Sequence, residues 1–264
     1  KSMVSRYLAW PLAARALIWF MAFALPAQAE QELTWLMADR STEPFQIISD
    51  NPEQIPHSGL MTDVLRAMVR DMDISLKVQI LPYKRIRHEL TSGRSGLWIS
   101  YGSPVWLENE VSLVGEYSRQ PVLEVGYQLV TFGASGKFDM EAVRGKRLLL
   151  IHGYTYYAGF HRWMKSMNIQ PVFAPSHRLA LAMLKQGRAD YYLVEEPRLH
   201  WHARQMQIDM SQLQMLDFSS IIPTSDITFV FDRRIPEATR EQLNQALDNL
   251  KESGELDQIL EPYR

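Results

Sequence analysis

Few residue clusters in this sequence could do chemistry, and the chemistry they suggest is binding. Glu195 closes the apolar run Tyr191-Tyr192-Leu193-Val194. A carboxylate at a strand end can accept a charge-assisted hydrogen bond, worth roughly 1.5–3 kcal/mol, or can be an ordinary surface acid. Gly153-Tyr154-Thr155-Tyr156 joins an apolar run to an amphipathic one. Free N–H groups at such a helix start cradle an anion, or are simply capped. Ser100, Tyr101 and Ser103 follow a third apolar run, at the carboxyl edge where α/β sheets hold ligands; solvated hydroxyls would read the same way. Tyr83 heads a helical pattern, where an aromatic ring offers a large contact area at little entropic cost, or packs in the core. Phe45, after Pro44, lines a cleft or packs beneath one.

Covalent and metal chemistry find less support. There is no cysteine, which excludes a thiol nucleophile, a thiolate metal site and a disulfide scaffold. His200 and His202 are two apart and fall on different faces of a helix; His161 has no histidine or carboxylate four residues on. They make a poor metal set and read as surface or packing residues. No Ser/His/Asp arrangement can be placed by spacing. No cofactor is expected.

The elements that position these residues follow from hydrophobic periodicity. Residues 33–37 predict a strand, and Ser58 a cap for a helix starting at Gly59, whose positions Leu60, Met61, Val64, Leu65, Met68 and Met72 repeat at i, i+3/i+4. Residues 75–80 predict a second strand, 83–91 a helix stopped by Gly93, and 97–100 a third strand. This βαβαβ order argues for a mostly parallel sheet covered by helices. The same grammar restarts with a strand at 147–151, a helix at 156–167 and a strand at 170–173. Ser176 then caps a helix stopped by Gly187, followed by a strand at 191–194 and a helix at 197–206. Asp190 reads as a structural acid at a strand start. The chain closes with a strand at 227–231, a helix from Pro236 through Leu250 and a short helix at 255–260. Two α/β units result, with extended crossovers at 121–126 and 222–226 that together would make a hinge.

Composition sets the outer limits. The chain has 264 residues, 46% apolar and 22% charged, with 14 Pro and 13 Gly, so it carries real cores and is no low-complexity chain. A formal charge of −2 provides no basic field for a phosphate backbone, and no nucleic-acid partner is expected. Residues 1–29 hold three basic residues and no acid, then ten uncharged residues from Ala16 to Leu25, Pro26 and the triplet Ala27-Gln28-Ala29. That is the layout of a signal peptide cleaved after Ala29; the alternative is an uncleaved anchor, although Pro11 and Arg15 interrupt any window of roughly 20 apolar residues. The product is expected to be periplasmic.

Behind that segment, short pieces occur in a telling order: Glu43-Pro44-Phe45, Ser58-Gly-Leu-Met-Thr-Asp-Val-Leu65, Pro82-Tyr83-Lys84-Arg85 with Gly93, Arg144-Gly-Lys-Arg-Leu-Leu-Leu-Ile-His-Gly153, Gly187-Arg-Ala-Asp-Tyr-Tyr-Leu-Val-Glu195, and Gly254-Glu-Leu-Asp-Gln-Ile-Leu260. Together they resemble family 3 periplasmic solute-binding proteins, the polar-amino-acid-binding type. The resemblance implies a type II periplasmic binding protein fold: two α/β lobes joined by two crossover strands, closing on a ligand by hinge motion. It places lobe 1 at 30–123 plus 227–264 and lobe 2 at 124–226. It implies that Tyr83 stacks on the ligand, that Ser100, Tyr101 and Ser103 contact it, that Thr155 offers a hydroxyl from the second lobe, and that Glu195 pairs with a ligand ammonium. The partners it implies are a small solute and a membrane permease or sensor, with the protein itself a monomer.

Two departures from the family pattern bear on the ligand. The arginine that clamps a ligand carboxylate would fall within Pro104-Val-Trp-Leu-Glu108, where none stands; Arg85 could substitute from the neighbouring helix. Ser95 stands where the family carries an acid. With Trp98, Tyr101, Trp106, Tyr154 and Tyr156 near the expected cleft, a larger or more apolar solute than an ordinary amino acid is indicated, unless Trp98 is core. Three functions remain open: uptake receptor, sensory receptor without its own transporter, and a dehydratase-like enzyme using Glu195 as general acid.

Overall fold

The computed structural model describes residues 31–39, 42–104, 114–133, 138–154, 156 and 158–264, without the side chains of residues 83, 84 and 158. The export signal expected over 1–29, the arginine-lacking stretch at 105–108 and Thr155 lie outside the described residues.

Two sheets organise the chain. The first begins with β1 (Gln31–Ala38), flanked in parallel by β2 (Ile74–Leu81) and β3 (Trp98–Gly102). The antiparallel strands β4 (Gly115–Tyr117) and β11 (Ser225–Asp232) extend it, giving the order β2-β1-β3-β11-β4. The six residues Leu33–Ala38 of β1 are all buried, as expected of a central strand covered on both faces. On one face Leu33, Trp35 and Met37 pack with Met61, Val64, Leu65 and Met68 of α1 (Leu60–Val69) and Leu243, Leu247 and Leu250 of α6 (Glu237–Glu252). On the other, Leu36, Ala38 and Trp98 meet Ile86 and Leu90 of α2 (Tyr83–Ser92). Gly93 ends α2 in the left-handed region at φ 67°, as the sequence predicts.

The second sheet has the order β10-β6-β9-β7-β8, built from β6 (Tyr127–Phe132), β7 (Arg147–Ile151), β8 (Gln170–Ala174), β9 (Tyr191–Glu195) and β10 (Leu213–Asp217). Strands β8, β7 and β9 are parallel, while β6 and β10 join antiparallel. One face is covered by α4 (His177–Lys185) and α5 (Glu196–Gln205). The other packs on Phe160 of α3 (Ala158–Ser166), with Phe218 and Ile222. Asp190 plays its expected role at the start of β9: its carboxylate accepts from the Arg147 backbone N–H at 2.8 Å and from its guanidinium. Those bonds hold its pKa below the usual carboxylate range.

The chain passes between the sheets at β5 (Leu123–Val125) and again at the start of β11. Strand β5 lies antiparallel to the first three residues of β11, so the chain leaves and re-enters the first sheet through a paired ribbon. The antiparallel strands β6 and β10 escaped the sequence reading. Strand β6 directly continues the crossover, and β10 is an edge strand with alternating exposure, which leaves no long apolar run. No described helix is long and apolar enough to cross a membrane.

Candidate functional site

The loop after β1 forms one wall of the site. Gln46 is 1% exposed, and its side-chain amide clamps the strand end, accepting from the Ala38 N–H at 3.1 Å and donating to the Leu36 carbonyl at 2.9 Å. The loop then turns back onto α1. The Leu60 and Met61 N–H groups donate to the carbonyls of Pro44 and Phe45, at 2.8 and 2.9 Å. Ser58 is therefore not the cap expected from sequence: Gly59 stands at that position, at φ 111° and without a side-chain bond, and loop carbonyls satisfy the orphan donors. This arrangement fixes Phe45, which is fully buried and stacked on Tyr101 of β3, with ring centroids 5.9 Å apart and planes at 17°. Tyr101 in turn lies 6.3 Å from the indole of Trp35.

The facing wall comes from the end of β9. Glu195 pairs in register with Tyr127 across the β6–β9 ladder, and the Tyr127 hydroxyl donates to its Oε1 at 3.1 Å. Burial, then the carboxylate of Glu195, pushes the Tyr127 pKa well up, so Tyr127 remains a donor. The other carboxylate oxygen of Glu195 is 2.9 Å from Nε of Arg198, one helical turn on, and these side chains are 3% and 4% exposed. The contact is an ion pair without linear hydrogen-bond geometry. From the second sheet's α5, Arg198 reaches across to the first. It donates to the Glu43 carbonyl at 2.9 Å and places its guanidinium carbon 4.6 Å from the centroid of the Phe45 ring. Burial alone would discourage its charge, but Tyr154 and Glu195, with Tyr101 and Tyr127, raise its pKa overall. Arg198 is a cation at any physiological pH.

Behind this pair lies a polar cluster of the second sheet. The Tyr154 hydroxyl is 2.9 Å from Nε2 of His177, whose Nδ1 is 2.5 Å from the Tyr192 hydroxyl. His202 stacks on His177 at 5.8 Å and 17°. Burial, reinforced by the Arg198 charge, pushes the His177 pKa well down, and His202 falls to about 4 for the same reasons, with Arg178 adding to it. Burial also raises the pKa values of Tyr154 and Tyr156. The cluster is thus neutral and faces a cation. The Tyr156 hydroxyl accepts from the Ile151 N–H at 2.9 Å, taking up a donor at the β7 end.

The structure brings four expected residues to one place. Phe45 and Tyr101 stand on one side, Glu195 on the other, and Tyr154 is close enough to Glu195, Arg198 and Tyr101 for their charges to act on it. Arg85 is exposed on α2. Ser100 alternates with Tyr101 and so faces the opposite side of the sheet, with Trp98, which is core. Ser103 is fully buried, and its hydroxyl has no partner among the described residues. Tyr83 heads α2 as expected. Arg198 and Tyr127 were missed: with Glu195 read as a strand end and the helix begun at Pro197, the one-turn spacing of Glu195 and Arg198 did not stand out. A cavity of about 590 Å³ runs along the β5 crossover, lined by residues including Leu60, Val125, Pro197, His200 and Tyr263 and by none of the expected site residues. Among the described residues no group of acids and histidines is placed to hold a metal ion.

No protein-family model and no curated protein sequence matches the chain. Solved structures do. The chain aligns over 88% of its length with 98% of the substrate binding protein of an amino acid ABC transporter, at TM-score 0.65 and 15% identity. At TM-score 0.70 and 17% identity, 89% of it aligns with 95% of a chain described in work on glutathione import via GshT and the cystine ABC importer TcyBC of Streptococcus mutans. A histidine kinase sensor domain similar to periplasmic binding proteins matches at TM-score 0.65 and 15% identity, covering 89% of this chain and 96% of that one. Two sheets with parallel cores, a paired crossover and these alignments agree: the chain has the two-lobed fold of the periplasmic substrate-binding proteins of amino acid ABC transporters.

Proposed function

We propose that this protein is a non-catalytic periplasmic receptor that captures a small polar or aromatic, amino-acid-like solute between its lobes for an ABC-type importer. One observation carries the reading: aromatic and charged groups from both sheets converge on a single position between them. Phe45, Tyr101 and the Glu43 carbonyl come from the first, and Glu195, Arg198 and Tyr154 from the second. The lobes are taken as 30–123 plus 227–264 and as 124–226, hinged at the paired crossover. A solute that touches both walls favours the closed form by its differential affinity for it. Export through a signal peptide over 1–29 and a monomeric state belong to the same reading.

A thermal-shift panel of amino acids, small peptides and aromatic acids tests it. At a hundredfold excess over Kd a solute stabilises by about 2.7 kcal/mol, a rise of roughly 5–10 °C for a chain of this size. Tyr101→Ala should abolish that rise. A broad panel that shifts nothing would overturn the reading. The likeness to a histidine kinase sensor domain supports a second reading, in which the same capture is reported to a sensor. A tightly coupled permease that stimulates ATP hydrolysis on adding the loaded protein would favour uptake.

A further inference from the structure

Arg198 is one of the groups that converge between the sheets, and its own contacts define what that position accepts. Its guanidinium, carried on α5 against the second sheet, meets the loop after β1, reaching the Glu43 carbonyl at 2.9 Å and the Phe45 ring at 4.6 Å. On its own side Glu195 lies 2.9 Å away. A planar cation over an aromatic face, next to a carboxylate and a carbonyl, is how a protein would bind a free guanidinium or ammonium group. Here the protein supplies that cation itself. Glu195 has both oxygens engaged, one by Tyr127 and one by Arg198.

We propose that Arg198 is a built-in occupant of the interlobe cleft: it fills the cation position between Phe45 and Glu195, ties the lobes together without solute, and restricts the cleft to solutes that bring no cation to that position. This rests on the two-lobed receptor reading for its solute class but not for the tie. The geometry makes two demands. Removing the guanidinium frees the lobes, and it leaves Glu195, still bonded to Tyr127, without its cation beside an aromatic wall, a site for an external cation. Neutral or anionic ligands are then the natural class, and amines and guanidines become ligands only when Arg198 is gone.

The full chain and two substitutions test this. Arg198→Met keeps an unbranched stem over Phe45 and guards against the misfolding that Arg198→Ala could cause. Small-angle scattering without solute should show a larger radius of gyration for Arg198→Met than for the parent. Ethylguanidinium and L-arginine should then bind Arg198→Met at least tenfold more tightly than the parent, with the radius returning toward the parent value. Adding Glu195→Gln should remove the gained binding. An unchanged radius of gyration in Arg198→Met would overturn the tie. Equal binding of ethylguanidinium by the parent and Arg198→Met, or a gain that survives Glu195→Gln, would overturn the cation position. If the panel of solutes finds no ligand while scattering still shows opening, the receptor reading fails and the tie stands.

Discussion

Arg198 and Phe45 meet across the two sheets, guanidinium carbon to ring centroid at 4.6 Å, although 153 residues of chain separate them. Both are buried, Arg198 at 4% and Phe45 at 0% exposure, so the pair is shielded from water, where a cation–π contact is worth up to about 2 kcal/mol. Phe45→Leu removes the ring face while keeping an apolar side chain. It should lower unfolding stability by roughly 2 kcal/mol, from the lost contact and the small cavity together. Urea unfolding reads this as a lower midpoint at unchanged m. A midpoint equal to that of the parent would show that the ring face carries no part of the contact.

Gly59 holds the same wall from behind. At φ 111° it lies in the left-handed half of conformational space, and a Cβ there would sit 2.7 Å from the Gln46 Cα and 2.8 Å from the Ile47 nitrogen and Phe45 oxygen. All three are backbone atoms and cannot rotate aside. Gly59→Ala should therefore cost about 3 kcal/mol or more, combining backbone strain with displacement of the Phe45 loop. Its melting temperature should fall well below that of Ala67→Gly, an ordinary helix substitution that costs about 1 kcal/mol. Comparable melting temperatures would mean the loop yields easily.

How legible these features were in the sequence depends on what held them. Runs such as residues 147–151 and 255–260 are set by local periodicity, and the structure reproduces those bounds. Ser176 capping α4 through the Leu179 N–H is equally local. Gly59 was readable only as the start of a helix, because the carbonyls that cap α1 belong to Pro44 and Phe45, each sixteen positions upstream of the N–H it accepts from. Tyr127 pairs with Glu195 across 68 residues, a register that an antiparallel addition to a parallel sheet creates and that periodicity does not reveal. Arg198 stands one turn after Glu195, but its contact with Phe45 exists only once both sheets are assembled.

Tyr192 supports the polar cluster from inside the second sheet. Its hydroxyl is 2.5 Å from Nδ1 of His177, and both residues are 2% exposed or less. A neutral imidazole donates from one nitrogen and accepts at the other, so both ring positions need a partner, and Tyr154 supplies the second. Tyr192→Phe leaves the packing of the ring intact and orphans one imidazole nitrogen, which should cost about 1–3 kcal/mol. The double substitution with His177→Phe should cost less than the sum of the two single ones, since the imidazole nitrogen that faced Tyr192 is then gone. If the double variant is as unstable as the sum of the two single ones, the hydroxyl–imidazole pair contributes nothing.

The stacked histidines set an acid limit on stability. Burial, then the charges of Arg198 and Arg178, lowers the His202 pKa from 6.5 to about 4, and His177, against its face, moves in the same direction. Below pH 6.5 the unfolded chain takes up a proton at His202 that the folded chain refuses until about pH 4. Protons bound by the unfolded state exceed those bound by the folded state across that window, so stability falls as the pH is lowered through it. A shift of this size corresponds to about 3 kcal/mol lost between pH 6.5 and 4. Nε2 of His202 is buried without a hydrogen-bond partner among the described residues, so His202→Leu, similar in volume, should be tolerated at pH 7. The variant should lose less stability than the parent between pH 6.5 and 4, by up to that amount, in urea titrations run at each pH. Parallel profiles for the two proteins would show that His202 protonates as easily folded as unfolded, and that the stacked pair is open to water.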